Sequence, residues 1–393
     1  MPFSRRLLML ALLVLASIPF AWHAGQADDK TDAGLAQIAP KMRAFIQAKQ
    51  ISGAVTLVAH KGKIVQFEAV GEADIDAHRP MTRDTLFGIA SMTKPITATA
   101  VMILQDEKKL SIDDPVSKYV PQFKDARLAE GRPQREITIR DCLTHTSGLS
   151  GDQDVIESLE KTAEELAKRP LKFEPGTKWE YSPGLNVCGR VVEVVSGQTF
   201  EDFLAVRIFK PLRMSSTTFD LTAERKKNLA LLYKPGEEKQ SIVAVDPQFS
   251  PSLTPGSGTP SYGPSGGLFS TAADMARFYQ MILNGGELDG ARILSKEAVH
   301  QMTTVQTGDI SVGFTPGNAW GLGFCVVREP QGVTKMLSPG SFGHGGAWGT
   351  QGWIDPQRQT IYVLLIQRKD FGNSDAADIR GAFQQLAADA LGN

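Results

Sequence analysis

Apolar residues recur along this chain with two different periods, and the change of period divides it into three stretches. Ala36 to Lys49 carries apolar residues at helical spacing and stops before Gly53, which predicts an amphipathic helix. Ala54 to His60 and Ile64 to Glu68 are β-rich runs joined at Lys61-Gly62-Lys63, the pattern of a hairpin. Beyond Pro95 the spacing turns helical: Ile96–Leu104, Lys161–Lys168, Val187–Val195, Phe200–Ile208 and Thr271–Leu283. Residues 251–267, rich in proline, glycine and serine, interrupt that region as an irregular loop. β character then returns in Gly321–Val327, Gln351–Ile354 and Thr360–Gln367, and Asp375–Leu391 closes the chain as an amphipathic helix. No internal repeat is visible.

Strands therefore lie at both ends and helices fill the middle. The economical fold is α+β: N- and C-terminal strands join in one antiparallel sheet flanked by the terminal helices, and a central, mostly helical lobe packs beside it. On this reading the α/β lobe takes residues of about 34–90 and 290–393 and the helical lobe about 91–289. A ligand site is expected in the cleft between the lobes.

The first residues follow another logic. Arg5 and Arg6 form a positive n-region, Leu7 to Phe20 is an uncharged apolar run, and Gly25-Gln26-Ala27 places small residues where a signal peptidase cuts. Residues 1–27 read as a secretory signal and 28–393 as the mature, periplasmic or secreted chain, with no stable membrane insertion after cleavage. The alternative is an uncleaved anchor or a buried helix. No cysteine follows the apolar run, which excludes a lipoprotein. Composition changes the picture only by exclusion. With 42% hydrophobic and 22% charged residues the chain is an ordinary globular one, and a net charge of -1 leaves no basic excess for nucleic acid. Its three cysteines and six histidines show no CxxC or HxH spacing, so no metal, no cofactor and no disulfide framework are expected.

Two segments match Ser-x-x-Lys: Ser91-Met92-Thr93-Lys94 and Ser158-Leu159-Glu160-Lys161. Ser158 stands among Glu157, Glu160, Glu164 and Glu165 and reads as a solvated helix face. Ser91 precedes a helix that opens at Thr93-Lys94-Pro95, since proline is favoured in a first turn. A helix N-terminus stabilises a developing alkoxide, and i, i+3 spacing puts the Lys94 amine on the face of Ser91. Partial burial would push that lysine toward its neutral, basic form. Taken alone, the motif leaves open an N-cap serine with a surface lysine. Two later elements bear on the choice: Tyr181-Ser182 after the turn at Pro175-Gly176, and His344-Gly345-Gly346 before the C-terminal strands, whose glycines would let a substrate approach the backbone.

The order Ser-x-x-Lys, Tyr-Ser, His-Gly-Gly resembles that of the serine β-lactamase-related hydrolases: class C β-lactamases, D-alanyl-D-alanine carboxypeptidases, D-aminopeptidases and family VIII esterases. The resemblance extends to Asp84-Thr85-Leu86-Phe87, to Thr144-His145-Thr146-Ser147-Gly148-Leu149, to Gly266-Gly267-Leu268-Phe269-Ser270-Thr271 and to Trp320-Gly321-Leu322-Gly323-Phe324. It implies the β-lactamase/transpeptidase-like fold, with Ser91 as acylated nucleophile, Lys94 taking or relaying its proton, and Tyr181 as partner base and then acid to the leaving group. It also implies an oxyanion hole from the backbone N–H groups of Ser91 and Ala347, with His344, Gly345 and Gly346 beside the substrate. The chain departs from the pattern twice. Pro183 stands where many relatives carry asparagine, with Asn186 at the wrong spacing to replace it. His344 stands where class C β-lactamases carry lysine.

Gly263-Pro264-Ser265-Gly266-Gly267 matches the nucleophile elbow G-x-S-x-G, which needs an apolar strand directly before it. Residues 255–262, with Pro255 and Pro260, cannot be that strand, so Gly266-Gly267 reads as a turn feeding the Thr271 helix, with Asp274 near its first turn. His145 reads as packing and hydrogen-bonding within a turn. The expectation is an exported serine hydrolase working through an acyl-enzyme, foremost a carboxylesterase on small uncharged esters. A β-lactamase or peptidase on D-amino-acid amides is the alternative. A non-catalytic cell-envelope binding protein of the same fold is the alternative of another class. Its partner is a small-molecule ester or amide, held by loops around residues 110–180 and 230–265.

Overall fold

The computed structural model describes residues 29–151, 157–237, 241–245, 263–313, 315–370 and 373–392. The expected signal segment and residues 251–262 of the irregular loop lie outside them. Eight strands form the main sheet: β1 (Gly53–His60), β2 (Lys63–Asp74), β3 (Arg79–Pro80), β4 (Asn318–Trp320), β5 (Cys325–Val327), β6 (Phe342–Gly345), β7 (Gln351–Asp355) and β8 (Thr360–Leu365). Their order is β4-β5-β6-β7-β8-β1-β2-β3, and every neighbouring pair is antiparallel. The seam between β1 and β8 joins the two ends of the chain, with Val55 opposite Leu365 and His60 opposite Thr360.

Both faces of this seam are buried, which is why β1 reads as a nearly unbroken apolar run. Successive side chains point to opposite faces. Val55, Leu57 and Ala59 of β1 join Ile361, Val363 and Leu365 of β8 in one core, while Ala54 and Val58 join Tyr362 and Leu364 in the other. Seven helices frame the site: α1 (Ile38–Gln47), α2 (Thr93–Asp106), α3 (Ile139–Thr144), α4 (Leu159–Lys168), α5 (Gly184–Ser196), α6 (Ala272–Leu283) and α7 (Asp378–Ala390). Met42 and Phe45 of α1 and Phe383 and Ala387 of α7 cover the second core, whereas α6 closes the first with Met275 and Tyr279. The helical region lies between the strand groups, and the architecture is the expected α+β one. Helix α2 is its axis: every residue from Thr93 to Leu104 is buried, as befits a helix that is apolar nearly all round. Helix α5 crosses α3 at Gly184, where a Cβ would stand 2.6 Å from the Cys142 carbonyl oxygen. That approach brings the buried, free Cys142 and Cys188 thiols together.

The structure departs from the periodic reading in three places. Gly321–Val327 is not one strand but the tight turn and second strand of a hairpin, β4–β5. Gly323 adopts φ +72° there, and the Gly321 N–H donates to the Phe324 carbonyl at 2.8 Å. The helix at Phe200 ends at Leu204 and continues as a π turn over Ala205–Phe209. Strand β6 has no β-forming pattern, yet a Cβ on Gly343 would lie 2.3 Å from the Gly352 carbonyl oxygen. Gly343 is what permits the close pairing with β7. Among the described residues no helix is long and apolar enough to cross a membrane.

Candidate active site

Ser91 sits in a single 3-10 turn, Ala90–Met92, that leads directly into α2. The helix is capped at Met92 without a side-chain bond, so the Ser91 hydroxyl is not engaged in capping. Ala90 is held in the left-handed region at φ +45°, a conformation that costs an alanine about 1–3 kcal/mol. Its neighbours hold it there. The Thr93 hydroxyl donates to the Ala90 carbonyl at 2.7 Å and accepts the Leu268 N–H at 3.3 Å, and the Ile89 N–H donates to Leu268 at 3.0 Å. From the far side the Thr350 hydroxyl donates to the Ile89 carbonyl at 3.0 Å.

Lys94, one turn along α2, has an exposure of 0%. Its Nζ donates to Ser91 Oγ at 3.1 Å and to the Ser265 carbonyl at 2.7 Å. Burial pushes its ammonium well below the ordinary lysine range, toward the free amine. The ring of half-buried Tyr181 lies 4.5 Å from Nζ, and its hydroxyl is hydrogen-bonded to Ser91. Burial, reinforced by the negative charge of Asp375, raises the phenol above its usual range against the Ser91 bond, so Tyr181 stays protonated at neutral pH.

His344 lies on β6 and is only 3% exposed. Its Nδ1 is 2.6 Å from the Gly345 carbonyl, which can only accept, so Nδ1 carries the proton and Nε2 is left as a buried acceptor without a partner. Burial first, and Lys94 second, lower its pKa to about 4, against Asp375 and the Gly345 carbonyl. The glycines after it are needed for close approach, but the approaching groups belong to the chain itself. A Cβ on Gly345 would lie 1.9 Å from Asp375 Oδ1, and one on Gly346 would lie 2.5 Å from the Ile89 carbonyl oxygen. The end of β6 is thus pressed against the turn that carries Ser91, and Ala347 follows as an exposed residue. His145, Trp179, Tyr181, Trp320 and His344 form one aromatic cluster here, with His145 and Tyr181 ring centroids 4.4 Å apart and Trp320 and His344 centroids 5.5 Å apart.

The structure thus brings together Ser91, Lys94, Tyr181 and the His344 strand. It keeps Ser158 apart: Ser158 is the exposed N-cap of α4, and its Oγ accepts the Lys161 N–H at 3.1 Å. Ser265 is no elbow nucleophile. Its Oγ is buried without a partner, its N–H donates to Asn186 Oδ1 at 3.0 Å and its carbonyl receives Lys94. The Gly267 N–H returns to the Gly263 carbonyl at 2.7 Å, a tight turn that feeds the strand pair Phe87–Gly88 and Phe269–Ser270 and then α6. Asp274 stands in the first turn of α6, where its carboxylate accepts from the Ser216 N–H and the Thr217 hydroxyl. Residue spacing did not reveal the Ser265 carbonyl as a partner of Lys94, nor Asn186 as the group that receives the Ser265 N–H. The only signal was Asn186 near the tyrosine motif; a main-chain carbonyl leaves none. Among the described residues no group of three His, Cys, Asp or Glu side chains could hold a metal ion.

A buried lysine beside a helix-start serine, with a tyrosine against both and a glycine-rich strand alongside, on this sheet-and-helix frame, defines a serine hydrolase. The chain belongs to the Beta-lactamase family, which it matches over residues 38–387. It is 34% identical over 369 residues to Protein Rv1367c of Mycobacterium tuberculosis, covering 86% of this chain and 90% of that one. To Esterase EstB of Burkholderia gladioli it is 32% identical over 356 residues, covering 82% of this chain and 87% of the esterase. Among solved structures it superposes on EstCE1, described as a hydrolase with promiscuous acyltransferase activity, with a TM-score of 0.78 and 25% identity over 92% of this chain and 99% of that one.

Proposed function

We propose that the chain is an exported carboxylesterase that works through an acyl-enzyme on small uncharged esters. Ser91 Oγ adds to the ester carbonyl carbon as its proton passes to Lys94 Nζ, for which the buried free amine is suited. The tetrahedral intermediate collapses by breaking the carbon–oxygen bond. The leaving alkoxide takes a proton from the Tyr181 hydroxyl, and Lys94 restores it. Water then repeats the sequence on the acyl-serine. The N–H groups of Ser91 and Ala347 are assigned to the oxyanion, with support from the way Gly346 is seated against Ile89 and Ala90. Export rests on the Arg5-Arg6 and Leu7–Phe20 pattern.

The observation that carries the ester reading is the neutrality of His344. A β-lactam or a D-alanyl-D-alanine peptide presents a carboxylate, which a lysine in the third motif meets with a fixed charge. Here the group is an uncharged imidazole above pH of about 4, surrounded by aromatic rings. Pro183 also removes the amide side chain that many relatives offer two residues after the tyrosine. Similarity to an esterase supports the same reading. Steady-state assays on purified enzyme should give kcat/KM for short-chain p-nitrophenyl esters at least ~100-fold above that for nitrocefin, a difference of ~2.7 kcal/mol in the barrier. His344→Lys should narrow the gap by helping nitrocefin. Wild-type nitrocefin or D-alanyl-D-alanine peptide turnover equal to that of the esters would overturn the substrate class. A folded protein that no fluorophosphonate labels would overturn catalysis itself.

A further inference from the structure

Within the reading of Tyr181 as the proton donor, we infer that His145 is a positioning residue for the reaction, gripping the chain on both sides of Tyr181 and backing its ring. His145 closes α3 in the left-handed region at φ +60°, which turns its ring and its carbonyl toward the same segment. The carbonyl accepts the Glu180 N–H at 3.0 Å. The ring Nδ1 accepts the Ser182 N–H at 3.1 Å. Between these two anchors the Tyr181 ring lies over the imidazole, with centroids 4.4 Å apart and planes 32° apart. One residue therefore fixes the backbone before and after Tyr181 and the plane of the phenol itself. Lys94 Nζ lies 4.5 Å from the centroid of the same ring.

This grip works only with a neutral imidazole. Because Nδ1 accepts a backbone N–H, the proton sits on Nε2, which is buried and has no partner. Protonation of Nδ1 would break the bond from the Ser182 N–H and leave only the Ser182 Oγ, 3.3 Å away, as an acceptor. The groups that face His145 oppose it: Lys94 from α2 and His344 from β6 add to burial in holding its pKa well below the ordinary histidine value. Trp179, Tyr181 and Trp320 supply the remaining walls without charge.

The test is a cycle with Tyr181→Phe, read as ester turnover and as the second-order rate of fluorophosphonate labelling. A misplacement of the order of 1 Å in a catalytic group costs ~100-fold. His145→Phe keeps a ring but loses the acceptor, and should lower kcat by ~100-fold with KM within ~3-fold. His145→Asn places an amide oxygen near the Nδ1 position and should recover at least ~10-fold of that loss. In the Tyr181→Phe background His145→Phe should cost less than ~3-fold, because the hydroxyl it positions is gone. The same ~100-fold cost in both backgrounds would overturn the inference while leaving Tyr181 as donor. Full turnover of Tyr181→Phe would overturn the donor reading and this inference together. If His145→Phe does not fold, His145→Leu, which also lacks the acceptor, runs the same cycle: a loss confined to the background with Tyr181 intact supports the grip, and an equal loss in both backgrounds overturns it.

Discussion

Ser91-Met92-Thr93-Lys94 and Ser158-Leu159-Glu160-Lys161 have the same spacing and both stand at a helix start, yet the fold puts them to opposite uses. At α4 the serine is the cap: exposed Ser158 accepts the Lys161 N–H, and Lys161 extends into solvent. At α2 the cap position has moved on to Met92, the serine hydroxyl receives the lysine Nζ, and the lysine is wholly buried. What separates them is the surroundings of the lysine. Lys161 is exposed, and its serine is engaged as a cap. Desolvation drives Lys94 toward an amine, and the Ser265 carbonyl, on a residue whose N–H is bonded to Asn186, holds it in reach of the hydroxyl. A serine and lysine three residues apart become a nucleophile and base only where the fold removes the water.

The comparison breaks first at the nucleophile. Ser91→Ala should abolish turnover and covalent labelling, a loss of ~10⁴-fold or more, while Ser158→Ala should retain both. Mass spectrometry of the fluorophosphonate-labelled peptide checks this, and an adduct on Ser158 or Ser265 would sink it. The lysines come next. Lys94→Ala and Tyr181→Phe should each lower kcat by ~10³-fold and the double variant should be little worse, since the two act as a unit; Lys161→Ala should be silent. Their pH dependence has a definite sign. The active form is the free amine, lost as pH falls through the depressed Lys94 value, so kcat/KM should rise with pH and level off well below the ordinary lysine range. A profile still rising at pH ~10 would mean that Lys94 is an ordinary cation. The smallest effect sharpens the contrast from the other side. Ser158→Ala removes a helix cap worth ~1 kcal/mol and should lower Tm by ~1–2 °C without touching activity. Ser91→Ala removes no cap and should leave Tm near that of wild type. Thermal scans of the two alanine variants side by side decide it.

Much of the frame was legible because its signals are local. The apolar runs of β1 and β8, the helix after Pro95 and the closing amphipathic helix stand near their expected bounds. Strand β6 was not legible, since its Gly-His-Gly core has no β-forming pattern and Gly343 is required only by the close approach of the Gly352 carbonyl of β7. Nor was the Gly321–Val327 turn, where glycine at φ +72° folds an apolar run back on itself. At the site, Ser91, Lys94, Tyr181 and His344 were visible as residue types in a particular order. His145 was visible only as a packed histidine, and its grip on residues 180–182 needed α3 and the following loop side by side.

The sequence by itself determined the order of the three motifs and the local conformations that present them: a helix start behind Ser91, a turn before Tyr181, a glycine-rich stretch after His344. Only the tertiary structure decided how far their ionisation departs from that of the free side chains. Lys94 is desolvated by a turn whose Ser265 carbonyl comes from 171 residues along the chain. Burial raises the Tyr181 phenol above its usual range, and burial and Lys94 lower the His344 imidazole below its own. A residue's conformation depends mainly on its neighbours in sequence. Its ionisation depends on solvent and charge within a few ångströms in space, and those are set by segments that meet only when the chain is folded.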